Sequence, residues 1–222
     1  FAARGRGVHH VRARALSLTQ ATELGTVYTV AELGALCAAA RSAGLKVHMD
    51  GARFANAVAH LGVSPADLSW RAGVDVLVFG GVKNGLGFGE AILFFDHASA
   101  EAFEWRVKQS GHLASKARTI TAPWAALIES GAWRTNAAHA NAMAKRLAQG
   151  LEKSGARLLH PVEANAVFVD LPVAAQEKLR AAGWRFYTFM GETGCRLMCA
   201  WDTQPETVDR FLADAARALS PA

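Results

Sequence analysis

An α/β fold is predicted for this chain: a mostly parallel sheet with helices between its strands, then a small α+β region. Three observations predict it. Short, near-continuous apolar runs such as "VDVLVFGG" and "EAILFFD" have strand length and the character of strands buried on both faces. Helical segments separate the strand-like runs of the first half, which implies parallel crossovers. In the second half a long helical tract precedes a different order of strands and helices. The expected organisation is a sheet domain over 1–130 and a smaller C-terminal domain over 131–222.

Each element has its own signal. "ARALSLTQ" reads as a short strand, and "TVAELGALCAAARSAG" as a helix. Thr29 with Glu32 three positions on forms a capping box, and Gly44 is placed to stop that helix. "LKVHMD" is strand-like again, while "ARFANAVAHLG" and "SPADLSWRAG" read as helical or turn segments. The tract from about Ile120 to Ser154 is helical, with a break expected at Ser130 and Gly131. Then come "ANAVFVDLP", the helix "AAQEKLRAAG", the strands "WRFYTFM" and "CRLMCAWD", and a closing helix. For that last helix Thr203 with Glu206 predicts the cap, with Pro205 in the first turn.

Composition narrows the function. Of the 222 residues 51% are hydrophobic and 19% charged, enough for a sizeable core and too apolar for disorder. The net charge of +5 is largely local, because "RGRGVHHVRAR" holds four arginines and no acid. Elsewhere the signs are interspersed, so no nucleic-acid groove is predicted. No run approaches the ~18 apolar residues of a membrane span. The basic first residues lead into no apolar stretch, so no signal peptide is predicted either. Cys37, Cys195 and Cys199 have spacings that suit no zinc site. They read as buried hydrophobes in a reducing, cytoplasmic setting.

The chemistry points to two strand ends. In open α/β sheets ligands bind beyond the carboxyl ends of the strands, and Asp50 in "HMDGARFANA" and Lys83 in "FGGVKNG" both fall there. Asp50 has a plain alternative as a helix cap, and Lys83 as a solvated loop lysine. Glycines on both sides of Lys83 let the backbone approach a ligand closely. A partly desolvated lysine is a usable amine nucleophile, and a carboxylate at the adjoining strand end keeps a pyridine nitrogen protonated. Pyridoxal phosphate (PLP) needs those two groups, a Schiff-base lysine and an acid facing its ring nitrogen.

"HMDGARFANA" followed by "GVDVLVFGGVKNG" resembles the low-specificity L-threonine aldolases, PLP enzymes of fold type I, and "SLTQATELGTVYTVAEL" and "RLMCAWDT" extend the similarity. The resemblance implies that Lys83 forms the Schiff base, Asp50 pairs with the pyridine nitrogen, and Arg53 and Arg196 hold the substrate carboxylate. The implied reaction splits L-threonine or a related β-hydroxy-α-amino acid into glycine and an aldehyde. Many relatives carry a histidine where this chain has "QATE", so the base that takes the hydroxyl proton is left among Glu23, a water and a residue outside the chain. His9 and His10 precede the strand and read as surface residues. His48 lies two positions before Asp50, and either orients it or is a hydrogen-bonded core histidine.

The resemblance also implies a preceding segment that binds the phosphate and stacks on the ring, so the N-terminal part of the large domain is expected to be missing here. In "KQSGHLASKAR" Lys116 or Arg118 either meets the phosphate or belongs to a solvated linker. Active sites of this fold lie at subunit interfaces, which implies a homodimer or homotetramer. Two other readings stay open. One is a PLP lyase of the same fold that performs β-elimination; the other is a non-catalytic remnant that binds a partner through its basic start.

Overall fold

The computed structural model describes residues 8–220. Of the basic opening stretch, residues 4–7 lie outside the described residues, and His9 and His10 are exposed ahead of the first strand. Strand β1 (Ala15–Thr19) leads through a loop to helix α1 (Val30–Ser42), then β2 (Lys46–Gly51), α2 (Phe54–Leu61), β3 (Val76–Gly80) and β4 (Glu90–Phe94). Two short helices, α3 (His97–Ala100) and α4 (Phe103–Gln109), precede α5 (Arg118–Glu129) and the long α6 (Ala132–Lys153). The remainder is β5 (Arg157–Leu158), β6 (Ala166–Asp170), α7 (Val173–Ala181), β7 (Tyr187–Met190), β8 (Gly194–Met198) and α8 (Pro205–Leu219).

The predicted signals act where they stand. Thr29 and Glu32 cap α1 reciprocally, hydroxyl to Glu32 N–H at 3.2 Å and carboxylate to Thr29 N–H at 2.8 Å. Gly44 follows that helix at φ +63°. Gly131, at φ +73°, separates α5 from α6. The closing helix differs from expectation: Pro205 occupies its first turn, so Gln204 is the N-cap. Thr203 turns back instead to accept the N–H of Ala200 at 2.7 Å.

Sheet one has the order β1-β2-β3-β4, with the first two pairings parallel and the last antiparallel. A mostly parallel sheet is the expectation, and β4 is its antiparallel member. The connection 81–89 is shorter than the roughly dozen residues a parallel crossover needs, and it turns the chain back on itself. Leu18, Met49 and Leu77 align across the strands on the face that packs against α1, α2 and the start of α6. On the other face Ser17, His48, Thr19, Asp50, Val76 and Val78 are partly or fully exposed, so the strands are not buried on both faces as predicted. Sheet two, ordered β5-β6-β8-β7, is antiparallel throughout. Its core joins Val167, Val169, Cys195 and Leu197 to the later part of α6, α7 and α8. Cys37, Cys195 and Cys199 are buried and free. Among the described residues no helix is long and apolar enough to cross a membrane.

Candidate active site

Asp50 stands at the carboxyl end of β2, opposite Thr19 of β1 and Val78 of β3. Its backbone carbonyl accepts from Gln20 N–H at 2.9 Å, which ties the exit of β1 to the exit of β2. Its carboxylate accepts from Ala52 N–H at 2.9 Å through Oδ1; no donor among the described residues reaches the other oxygen. Asp50 does not cap α2, whose N-cap is Arg53. His48 does not orient it: that ring pairs through Nδ1 with the Ser17 hydroxyl at 2.9 Å.

Arg53 leads into a helix that is anchored hard. Asn56 and Asn141, both buried, join α2 to α6 by two bonds of 2.9 Å: one links their side-chain amides, the other runs from Asn141 to the Asn56 carbonyl. Burial, then the like charge of Arg196, lowers the Arg53 pKa below its ordinary value, while the carboxylates of Glu23 and Asp50 raise it. Those four side chains therefore share one neighbourhood. The Nε atoms of Arg53 and Arg196 are buried with no acceptor.

Lys83 rides on a one-turn helix, Val82–Asn84, just past β3. Gly80, three positions earlier, lies so close to the Asp50 turn that a Cβ there would stand 2.6 Å from the Ala52 Cα. Only glycine permits that approach of the two strand ends. Asn84 fixes the turn from below, donating to the Trp133 carbonyl at 2.9 Å while its own carbonyl accepts from Asn136 at 2.9 Å. The Lys83 side chain is exposed and makes no hydrogen bond or ion pair among the described residues. The expected partial desolvation is thus not supplied by those residues.

Arg196 comes from β8 in sheet two, opposite Phe168 of β6. Its guanidinium lies 4.8 Å from the ring centroid of Phe189, a cation–π arrangement. Its Nη1 donates to Glu23 at 2.9 Å. Arg53, Asp50, Arg196 and Glu23 are thereby brought together, with Lys83 on the neighbouring strand end. Lys116 and Arg118 are exposed at the start of α5 and share no hydrogen bond or ion pair with that group. Sequence reasoning missed the supporting amides Asn56, Asn84 and Asn141. Their one signal was an amide amid small or apolar residues on a helix or beside glycine.

Comparison with known proteins bears on the family and the fold. The model of the beta-eliminating lyase family matches residues 1–174. A low specificity L-threonine aldolase of Pseudomonas aeruginosa is 54% identical over 208 residues, covering 93% of this chain and 60% of that protein. One from Pseudomonas sp. strain NCIMB 10558 is 51% identical over 214 residues, covering 96% of this chain and 62% of its own. The chain thus spans about three fifths of the length of these relatives. Among solved structures, the threonine aldolase of Leishmania major superposes with a TM-score of 0.89 at 29% identity, over 97% of this chain and 64% of that one. The α/β fold with its mostly parallel sheet is common to both, and the chain belongs to the beta-eliminating lyase family.

Proposed function

We propose that the protein is a PLP-dependent aldolase that splits L-threonine and related β-hydroxy-α-amino acids into glycine and an aldehyde. One observation supports this reading: uncommitted polar groups stand at the end of β2 beside Arg196 of β8, and Lys83 follows the adjoining strand β3. The Lys83 amine and one Asp50 oxygen have no partner among the described residues, and two buried guanidinium Nε atoms lack acceptors. That donor set fits PLP together with an amino acid. The amine suits the cofactor's aldehyde carbon, the spare carboxylate oxygen its ring N–H, and the guanidinium edges a substrate carboxylate. The identity to the P. aeruginosa low specificity L-threonine aldolase supports the substrate class.

When bound, the cofactor supplies an electron sink for cleavage at the amino acid's Cα. Asp50 keeps a proton on the ring nitrogen; its Ala52 N–H bond fixes the carboxylate that does so. Lys83 would hold the cofactor through Nζ, an amine that no group among the described residues engages. Arg196 and Arg53 grip the substrate carboxylate and so set which Cα bond is aligned for cleavage. We keep the division into 1–130 and 131–222, with α6 as the shared rod: Trp133 and Ala137 pack in the first core, Ala144 to Leu151 in the second. We also infer a homodimer or homotetramer, for which the exposed Phe88, Trp105 and Leu113 are available. A cytoplasmic location suits three buried free thiols.

The test is product analysis on the full-length protein offered L-threonine and L-serine. Glycine and acetaldehyde from threonine are expected; ammonia with a 2-oxo acid would replace this reading by β-elimination. Borohydride reduction and peptide mapping should then find the cofactor's mass on the Lys83 peptide, and finding it on another lysine would reassign the nucleophile.

A further inference from the structure

Glu23 sits on the loop between β1 and α1, and that loop is fixed to sheet two. Gln20, fully buried, closes its base by pairing its side-chain amide with the Tyr28 carbonyl at 2.8 Å and N–H at 3.1 Å. The hydroxyls of Thr22 and Thr26 stand 2.7 Å apart across it. Gly25, at φ +77°, runs so near β6 that a Cβ would meet the Ala166 Cβ at 3.0 Å. Beside it, Val27 N–H donates to the Glu163 carboxylate at 2.7 Å. The outcome is a glutamate 67% exposed held against an arginine 19% exposed.

The manner of contact matters. Glu23 engages Arg196 through Nη1 alone, whereas a guanidinium and a carboxylate left to themselves favour two parallel bonds. The Nε of Arg196 stays buried without an acceptor, and Phe189 lies against the plane of the guanidinium. One corner of the guanidinium is therefore pinned, while its Nε, shielded from solvent, is left without an acceptor. Arg53 and Arg196 also repel each other, and Glu23 is a negative charge near both.

We infer that Glu23 is a positioning residue: it pins Arg196 by Nη1 and offsets the repulsion between the two arginines, so that the Nε edge stands ready for the substrate carboxylate. This rests on the reading of the site as one that binds an amino acid on PLP. Without the anchor the guanidinium populates other rotamers, and affinity falls by the fraction of time it is misplaced. The chemical step, once substrate is bound, is left nearly as it was.

The full-length protein loaded with PLP tests this alongside its Glu23→Ala and Glu23→Gln variants. Calorimetric titration with glycine is paired with steady-state kinetics on L-threonine. Glu23→Ala should weaken glycine binding and raise KM by roughly tenfold, about the effect of losing one charge-assisted bond. Glu23→Gln should do so by less, since its amide oxygen still accepts from Nη1. Values of kcat should stay within about threefold. Ethanolamine, which carries the amine and hydroxyl without the carboxylate, should bind all three proteins alike.

Unchanged glycine affinity would overturn the inference. So would tighter binding, which marks Glu23 as a competitor for Arg196. Equal weakening of ethanolamine would mean that the loop had collapsed. A large fall in kcat at constant KM would make Glu23 a proton-transfer group. Wild-type protein that neither binds glycine nor cleaves threonine would overturn the aldolase reading itself, so the two failures are distinguishable.

Discussion

Strands β4 and β6 read alike as sequence, "EAILF" and "AVFVD", yet the fold treats them differently. In β6 the first four of its five residues are buried; in β4 none is. The central strand β6 lies between β5 and β8, against the helices of its own core, whereas β4 is an edge strand that pairs, among the described residues, with β3 alone. The contrast extends to the site. Sheet one offers Asp50 and the Lys83 turn from an open face and strand end, and sheet two offers Arg196 from a strand backed by packed side chains. An apolar run thus specifies a strand, while the number of faces it buries depends on what the rest of the chain brings. Substitutions at the open side should affect chemistry and spare stability, and those of the core-facing side chains in the packed sheet should do the reverse.

The largest expected effect breaks activity alone. Lys83→Ala should lower turnover by at least ~10³-fold, because the variant lacks the amine proposed as the nucleophile. Cofactor-free wild-type and variant proteins should melt within about a degree of each other, since the side chain is exposed and unbonded. A marked loss of Tm would show that Lys83 is structural and erase the contrast. Phe168→Ala tests the other half. Phe168 is 1% exposed, edge-on to both His160 and Phe189, so the variant should lose about 3–5 kcal/mol in urea unfolding.

The site divides along the same line between what sequence can and cannot reveal. Asp50 and Lys83 were legible because each ends an apolar run, and glycines mark the close approach that Gly80 makes to Ala52. The Glu23–Arg196 pair was not, since 173 positions separate its partners and only the packing of the Gly25 loop on β6 joins them. The direction of β4 could have been read, because the connection 81–89 is too short for a parallel crossover. The cap of α8 failed for a local reason. Pro205 suits the first helical position, so the cap falls on Gln204, and the Thr203 hydroxyl serves the Ala200 N–H instead. The exposure of the second sheet face was beyond pattern reasoning altogether, because Ile92, opposite Val78 on that face, looks like any core residue.

A smaller effect sharpens the role of sheet two. Arg196→Lys keeps the charge but loses the Nε edge, so KM for L-threonine should rise by about ten- to a hundredfold with kcat little changed. An unchanged KM would move the carboxylate grip to Arg53 alone and leave sheet two a purely structural part. The stability of this variant is expected to hold, because the Cys195 and Leu197 side chains that face the core are untouched.

The smallest effect bears on the open strand. Leu93 is 37% exposed on β4, so Leu93→Ala should cost no more than about 1 kcal/mol in dilute protein. Burial of its remaining apolar surface by a second copy would add to that cost, and the addition would depend on protein concentration, since association stabilises by mass action. Unfolding curves at two concentrations a hundredfold apart separate the cases. Equal, small losses would mean that the β4 face stays open at both concentrations. A loss that grows with concentration would show that Leu93 is bare only in the isolated subunit, and that assembly gives that face of β4 the covering that β6 receives from α6, α7 and α8.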